Sequence, residues 1–415
     1  MRRPLDGWNT LWQRRHLASW LPFYVIDGLI RRWGRPLPSP LSVILAIADH
    51  YEPQNGGVDQ TTALKRVERW VRDYPRLFGG FKDCDGRPPR HTFFHPIEMY
   101  DPRELDGLAE LCQAGFGEVE LHLHHDGDTP ENLRRTLLEA RDLYAHRHSQ
   151  LARRPNGQLA YGFVHGNWAL DNSRPDGRFC GINNELDILR ETGCYGDFTL
   201  PSAPSPTQTR MLNAIYRAWD DPDRPKSHDR GERLRARRRS WDFPTPGHDR
   251  SLLIVQGPLL LDWSNRKWGV LPRLENSNLQ GNQVPTGVRL DRWISARIGV
   301  QGRPDWIFVK LHTHGANPRN IDMLLGDPMV RFHEELSRRA AEDSGFRYHY
   351  VTTREMVNLI SAAEAGWEGP VEPMRDHGLV WNGRGEPKPK SSLSGRSCEA
   401  AASPSSAPSS SAPFR

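Results

Sequence analysis

Residues 41–48 read LSVILAIA, and Asp49-His50-Tyr51-Glu52-Pro53 follows directly. A nearly unbroken apolar run of this length, rich in branched residues, suits a strand buried on both faces, as in a parallel sheet. Polar residues just past the C-terminal end of such a strand line the ligand crevice of α/β folds. Position 49 is therefore a candidate before any other part of the chain is read.

Working outward, residues 91–95 (HTFFH), 118–124 (EVELHLH), 159–164, 196–200 and 306–311 (WIFVKL) read as further strands. Between them lie helical stretches. In residues 61–74, Leu64, Val67, Trp70 and Val71 recur at spacings of three and four. Residues 101–113 start with Asp101 as N-cap and Pro102 at the first position. Residues 132–145, 184–192, 289–299, 327–344 and 353–364 complete the set. This βαβα alternation predicts parallel strands with helices outside them, an α/β fold. From 201 to about 290 the rhythm weakens into an insertion, with short antiparallel strands expected at 252–255 and 259–263. The basic run at 230–239 (RGERLRARRR) reads first as a solvated loop, with an anionic-substrate rim as the alternative.

The predicted organisation is an amphipathic helical preface over residues 1–38, a main unit over 39–380, and a Ser/Pro-rich disordered tail over 381–415. The preface sets Trp8, Trp12, Trp20, Phe23, Ile26 and Trp33 among Arg14, Arg15, Arg31 and Arg32. It reads first as a helix packed on the main unit. Peripheral contact with an anionic membrane through residues 8–33 is the alternative. Residues 17–30 contain Ser19, Pro22 and Asp27, and are too short and too polar to span a bilayer.

A net charge of +5 over 415 residues is too slight to argue for nucleic acid. No C2H2 spacing or RRM-type aromatic signature is present either, so nucleic acid is not an expected partner. The five cysteines are odd in number and none has CxxC spacing. That argues against a disulfide framework and against a zinc–thiolate site. With no secretory signal visible, the expected location is the cytoplasm.

Polar residues gather at five strand ends: Asp49-His50, His95, His122/His124/His125/Asp126, His165-Gly166-Asn167 and His312/His314. His122 and His124, two apart on a strand, leave the same face, where two imidazoles can grip one metal ion. A carboxylate from a neighbouring strand, such as Asp49, would complete a triad with open positions. That set suits a divalent metal, zinc first. Such a metal lowers the pKa of bound water from about 15.7 toward about 7. Asp49 and His312 are the candidates for moving protons. His50 is a further candidate ligand, although strand neighbours point opposite ways. His165, Asn167, Trp168 and His314 are candidate substrate contacts, with Trp168 either stacking on a sugar or simply packed. A lone histidine at a strand end is more often structural or merely exposed.

The order of these segments resembles the polysaccharide deacetylase family with its NodB-homology domain. Residues 45–50 (LAIADH) take the place of the first motif and 118–126 (EVELHLHHD) the second. Residues 163–168 (FVHGNW), 195–199 (YGDFT) and 309–314 (VKLHTH) take the third to fifth. The resemblance implies an irregular (β/α) barrel that removes acetyl groups from amino sugars with a divalent metal, acting on a C–N amide or an ester. The chain departs from the family pattern in three places. Ala48-Asp49 stands where two aspartates are usual, so either Asp49 is the ligand, or Asp49 is the base and His50 the ligand. Asp126 stands where a second histidine is usual, and the third motif lacks its arginine. A non-catalytic sugar- or metal-binding barrel in a polysaccharide assembly system is the alternative. A glycosidase is disfavoured, because Asp49/Glu52 and Glu118/Glu120 are the only local carboxylate pairs at the strand ends. The sugar, the linkage and the oligomeric state are left open.

Overall fold

The computed structural model describes residues 16–32, 36–237 and 250–384. Five strands carry the predicted polar ends: β1 (Leu41–His50), β2 (His91–Pro96), β3 (Gly117–Leu123), β5 (Leu159–His165) and β12 (Trp306–Thr313). With β4 (Ala152–Arg153), β6 (Cys194–Asp197), β7 (Ile215–Trp219), β8 (Glu232–Arg233), β9 (Ser251–Val255), β13 (Phe346–Tyr350) and β14 (Val380–Trp381) they form one twelve-stranded sheet. Its order is β12-β1-β2-β3-β5-β6-β9-β7-β8, and every pairing from β12 through to β9 is parallel. β12 runs along β1 from Ser42 to Asp49. The other side of β1 is shared, by β13 over Leu41–Leu45 and by β2 over Ala48–His50.

The α/β class predicted from residues 41–48 is what the chain adopts, and β1 is buried on both faces. Val43, Leu45 and Ile47 pack with Val67, Trp70 and Tyr74 of α2 (Gln60–Phe78) and with Leu105 and Leu108 of α3 (Pro102–Gln113). Helices α4 (Pro130–His148) and α5 (Glu185–Thr192) add to the same layer. Ile44, Ala46 and Ala48 face the opposite way, against Met356, Leu359 and Ile360 of α9 (Thr353–Glu364). The N-terminus of α9 has a capping box between Thr352 and Glu355. Its Arg354 grips Glu118 of β3 through two hydrogen bonds of 2.7 and 2.9 Å. Both side chains are almost wholly buried, and breaking a buried pair by removing one partner costs about 3–5 kcal/mol.

The sheet does not close into a barrel. The free edge of β12 is taken by a loop instead of a strand: Leu279 donates to the His312 carbonyl and His312 donates to that of Ser277. The insertion holds more structure than its irregular sequence suggests. β7 and β9 pair antiparallel, and β10 (Leu260–Lys267) and β11 (Leu271–Glu275) make a separate hairpin. Part of the basic run is the short strand β8, and Leu234 beside it is buried; residues 238–249 lie outside the described set. Helices α6 (Gly287–Ser295), α7 (Pro318–Leu324) and α8 (Asp327–Glu342) lead to β12 and β13.

Within the preface, α1 (Leu17–Arg32) packs on the insertion. Trp20 is fully buried with Ala203, Leu212 and Leu259, while Val25 and Ile26 are exposed. Trp20 thus faces protein, not a bilayer. Trp8, Trp12 and Trp33 lie outside the described residues, as does the tail from 385. No described helix is long and apolar enough to cross a membrane.

Candidate functional site

Strand alternation decides which predicted residues meet. On β1, Asp49 continues the row Val43, Leu45, Ile47 and points into the α2–α3 layer. His50 continues the row Ala46, Ala48 and points the other way. His122 on β3 and His312 on β12 share the His50 face, since their strand neighbours Leu121, Leu123 and Leu311 belong to the helix-side core. The parallel register sets these ends level, with Ala48 beside His312 and Pro96 beside His122.

On the His50 face, His50, Glu52 and His122 each offer one ligand atom, and the three atoms lie within 4.8 Å of one another. His122 Nε2 is 3.4 Å from Glu52 Oε1. Its Nδ1 donates to the Val164 carbonyl at 2.7 Å, which turns Nε2 toward Glu52. His50 Nε2 is buried without a hydrogen-bond partner. Around this triad stand His314, its ring centroid 4.8 Å from that of His50, and His312 and Trp168 at 6.4 and 6.3 Å. His124 forms the rim, its Nε2 3.7 Å from Glu52 and its Nδ1 bonded to Glu98 at 2.6 Å.

Electrostatics favour a cation in this group. Burial works against charge on Glu52, yet hydrogen bonding and attraction from His122, with help from His314 and Asn55, bring its pKa down to about 2. Burial lowers His50, His312 and His314; neighbouring histidines add to it at His50 and Lys310 adds to it at His312, while Glu52 and Asp49 oppose it at His314. One buried carboxylate and two imidazoles make a donor set that fits a divalent first-row metal.

Asp49 is not part of it. Its carboxylate, fully buried, is taken up on the opposite face by His91 Nε2 at 2.8 Å and by the Gly315 backbone N–H. The carboxylate that joins the histidines is Glu52. The sequence carried a signal for this, since Glu52 lies two residues past His50, but the chain has left the strand there and alternation no longer assigns a face.

His165 is displaced from its expected place too. It turns away from the triad into a second group with His125, Cys180 and Glu185, whose ligand atoms again lie within 4.8 Å of one another. Asn167 and Trp168 follow it in a loop with positive φ at both positions; Asn167 is exposed and Trp168 half-buried. His95 is a structural residue between Tyr144 and Glu104. A third group, Asp83, Asp85 and His349, has its charge met by Arg375, which lies 2.9 and 2.8 Å from the two aspartates. A cleft of about 450 Å³ lined by Arg174, Arg210, Arg224, Lys226 and Arg230 lies apart from the histidines. Neither models of known protein families nor curated proteins match this chain.

Proposed function

We propose that the chain is a metal-dependent hydrolase of the carbohydrate deacetylase type, acting on a C–N amide or an ester, with His50, Glu52 and His122 as its metal ligands. The observation that carries the proposal is the convergence of these three ligand atoms within 4.8 Å at the C-terminal ends of parallel strands. A divalent ion held there, zinc being the first candidate, supplies Lewis acidity and acidifies the water it binds. The chain's own residues do the rest. His122 is held in the required tautomer by the Val164 carbonyl. His314 is half-buried and abuts His50, so it is the group best placed to pass a proton between the site and solvent. His312 is more deeply set, its Nδ1 3.5 Å from Ser277 Oγ, and serves better to orient than to carry a proton. Trp168 offers an apolar wall, and His124 and Glu98 offer a polar rim, which together suit a sugar ring. The irregular barrel implied by the sequence resemblance belongs to this proposal as a relationship of descent, with the loop on β12 standing where closure would occur.

The withdrawal of Asp49 favours a second reading. Without an acidic base beside the ligands, the same site would bind sugar or metal without turnover, in the service of a polysaccharide assembly system. Metal content and acetate release from acetylated amino-sugar oligomers separate the two. Stoichiometric metal with acetate release supports the hydrolase. Metal without release supports the binding role. Loss of neither metal nor release in His122→Ala overturns the site.

A further inference from the structure

We propose that His125, His165, Cys180 and Glu185 form a second metal site, closed and structural, that takes zinc and pins the loop over residues 170–181 to the ends of β3 and β5. It stands independently of the deacetylase reading.

The case rests on counting lone pairs. His165 Nδ1 lies against the Gly166 carbonyl, which can only accept, so the ring's proton is on Nδ1. His125 Nδ1 lies 3.0 Å from Asp128 Oδ2, with the same consequence. With a proton on each Nδ1, Nε2 is the atom each ring offers to a ligand, and the two Nε2 atoms face each other at 2.9 Å. Glu185 Oε1 completes the group at 3.3 and 3.5 Å from them, buried and with no hydrogen-bond donor of its own. Glu185 Oε2 is held by the Asp171 N–H and lies 3.4 Å from Cys180 Sγ. Two ring nitrogens and a carboxylate oxygen sealed together need a proton or a metal ion among them.

The donor set is two imidazoles, a carboxylate and a thiol, with each imidazole braced from behind by a carboxylate or a carbonyl. That is the chemistry of a four-coordinate zinc site with its outer supports. Cys180, His165 and Glu185 are fully or almost fully buried and the His125 side chain is 7% exposed, so no position is left for substrate. On metal uptake the Cys180 S–H bond breaks, the proton leaves to solvent and the sulfur binds as thiolate; nothing is oxidised or reduced.

The site also has something to hold. Asn167, Trp168, Asp171, Asn172 and Phe179 all adopt positive φ, which costs a non-glycine residue about 1–2 kcal/mol. Asp126, in the position where the resembled family has a histidine, accepts from the Phe179 N–H and docks the same loop. Because Trp168 in the adjoining segment reaches His50, fixing this loop also fixes a wall of the first site.

The test is cobalt loading and metal analysis of the full-length protein, using Co(II) as the probe. Wild type should hold about two equivalents and show a thiolate-to-cobalt charge-transfer band. Cys180→Ser should lose the band and one equivalent, while His122→Ala should lose one equivalent and keep the band. X-ray absorption at the metal edge of the wild type should find sulfur in the shell, about half an atom averaged over the two metals, which keeps the test alive if Cys180→Ser fails to fold. A wild type with no band and no sulfur scatterer overturns the proposal, leaving a single proton shared between the imidazoles. Metal lost in His122→Ala but not in Cys180→Ser sinks this site and spares the first. The converse sinks the first and spares this one.

Discussion

Two histidine groups stand side by side at the strand ends, and they differ in what surrounds the ligand atoms. Around His50, Glu52 and His122 lie more histidines, a tryptophan and a solvent-facing rim, and His50 Nε2 has no partner. Around His125, His165, Cys180 and Glu185 the free valences are tied off by Asp128, Gly166 and Asp171. Metal sites that keep a coordination position open do chemistry, and those that close do architecture. The two clusters share histidine and glutamate, and the proposed difference in role rests on their neighbours as well as on the one added cysteine.

The largest effect that would break this contrast is on activity. Glu52→Gln keeps the size of the side chain and the bond to Asn55 but removes the anion from the open group. Acetate release should fall by more than the about 10–100-fold that loss of an outer-shell partner costs, with the first metal equivalent lost as well. The melting temperature should fall only by the stabilisation that the lost metal supplied. Unchanged release from a stoichiometrically loaded variant would remove Glu52 from the ligand set.

Cys180→Ala is the counterpart at the closed group. If a zinc ion bound about a hundredfold above its dissociation constant is lost, about 3 kcal/mol of stability goes with it. Activity per folded molecule should stay within a few-fold. A brief chelator treatment should separate the groups in time, abolishing activity before lowering the melting temperature. Simultaneous loss of both would mean that the two groups act as one.

A buried histidine in neither group gives the baseline. His333 packs beside Phe78 and Phe81, and its ring Nδ1 is hydrogen-bonded to the Tyr350 hydroxyl. Burial lowers its pKa from the ordinary 6.5 to about 3. The unfolded chain therefore binds a proton below pH 6.5 that the folded chain refuses, so stability is full above that pH and falls as pH drops toward 3. At pH 5 the loss is about 2 kcal/mol. His333→Gln, which keeps a group able to bond Tyr350, should flatten this part of the acid-denaturation profile. An unchanged slope would show that the ring does not resist protonation as its burial implies.

The fold was legible where the period was strong. Residues 41–48 have both faces apolar, and 353–364 form a helix with its capping box, so the predicted bounds of that helix match the structure. β13 and β7 were missed because FRYHY and IYRAW are short and mix aromatic with charged residues. Of the expected site, His50, His122, His124, His312 and His314 do gather, since strand alternation and parallel register fix them. Cys180 and Glu185 gave no local sign. They come from a loop and the first turn of α5, and only tertiary folding brings them to His125. The cysteine count argues against a zinc–thiolate site because it tests for thiol pairs, and the proposed group, one thiol among nitrogen and oxygen donors, lies outside that test.

Asp49 is where sequence and structure part most instructively, and it gives the smallest predicted effect. Asp49 and His50 are neighbours, so alternation sends them to opposite faces, and the family resemblance had favoured the aspartate. In the structure His50 reaches the open group while Asp49 bonds His91 and Gly315 beneath Trp70, whose indole N–H in turn donates to the Gly315 carbonyl. Its role is then to hold the segment after β12, including His314, against α2. Asp49→Asn keeps an acceptor for the Gly315 N–H and needs only a tautomer change at His91. It should cost about 1–2 kcal/mol of stability, as for a weakened buried hydrogen bond. Metal at the open group should stay at wild-type stoichiometry, and acetate release should shift only a few-fold through His314. Loss of that metal in Asp49→Asn, with Glu52→Gln still loaded, would return the ligand role to Asp49 and require the end of β1 to rotate its two side chains past each other.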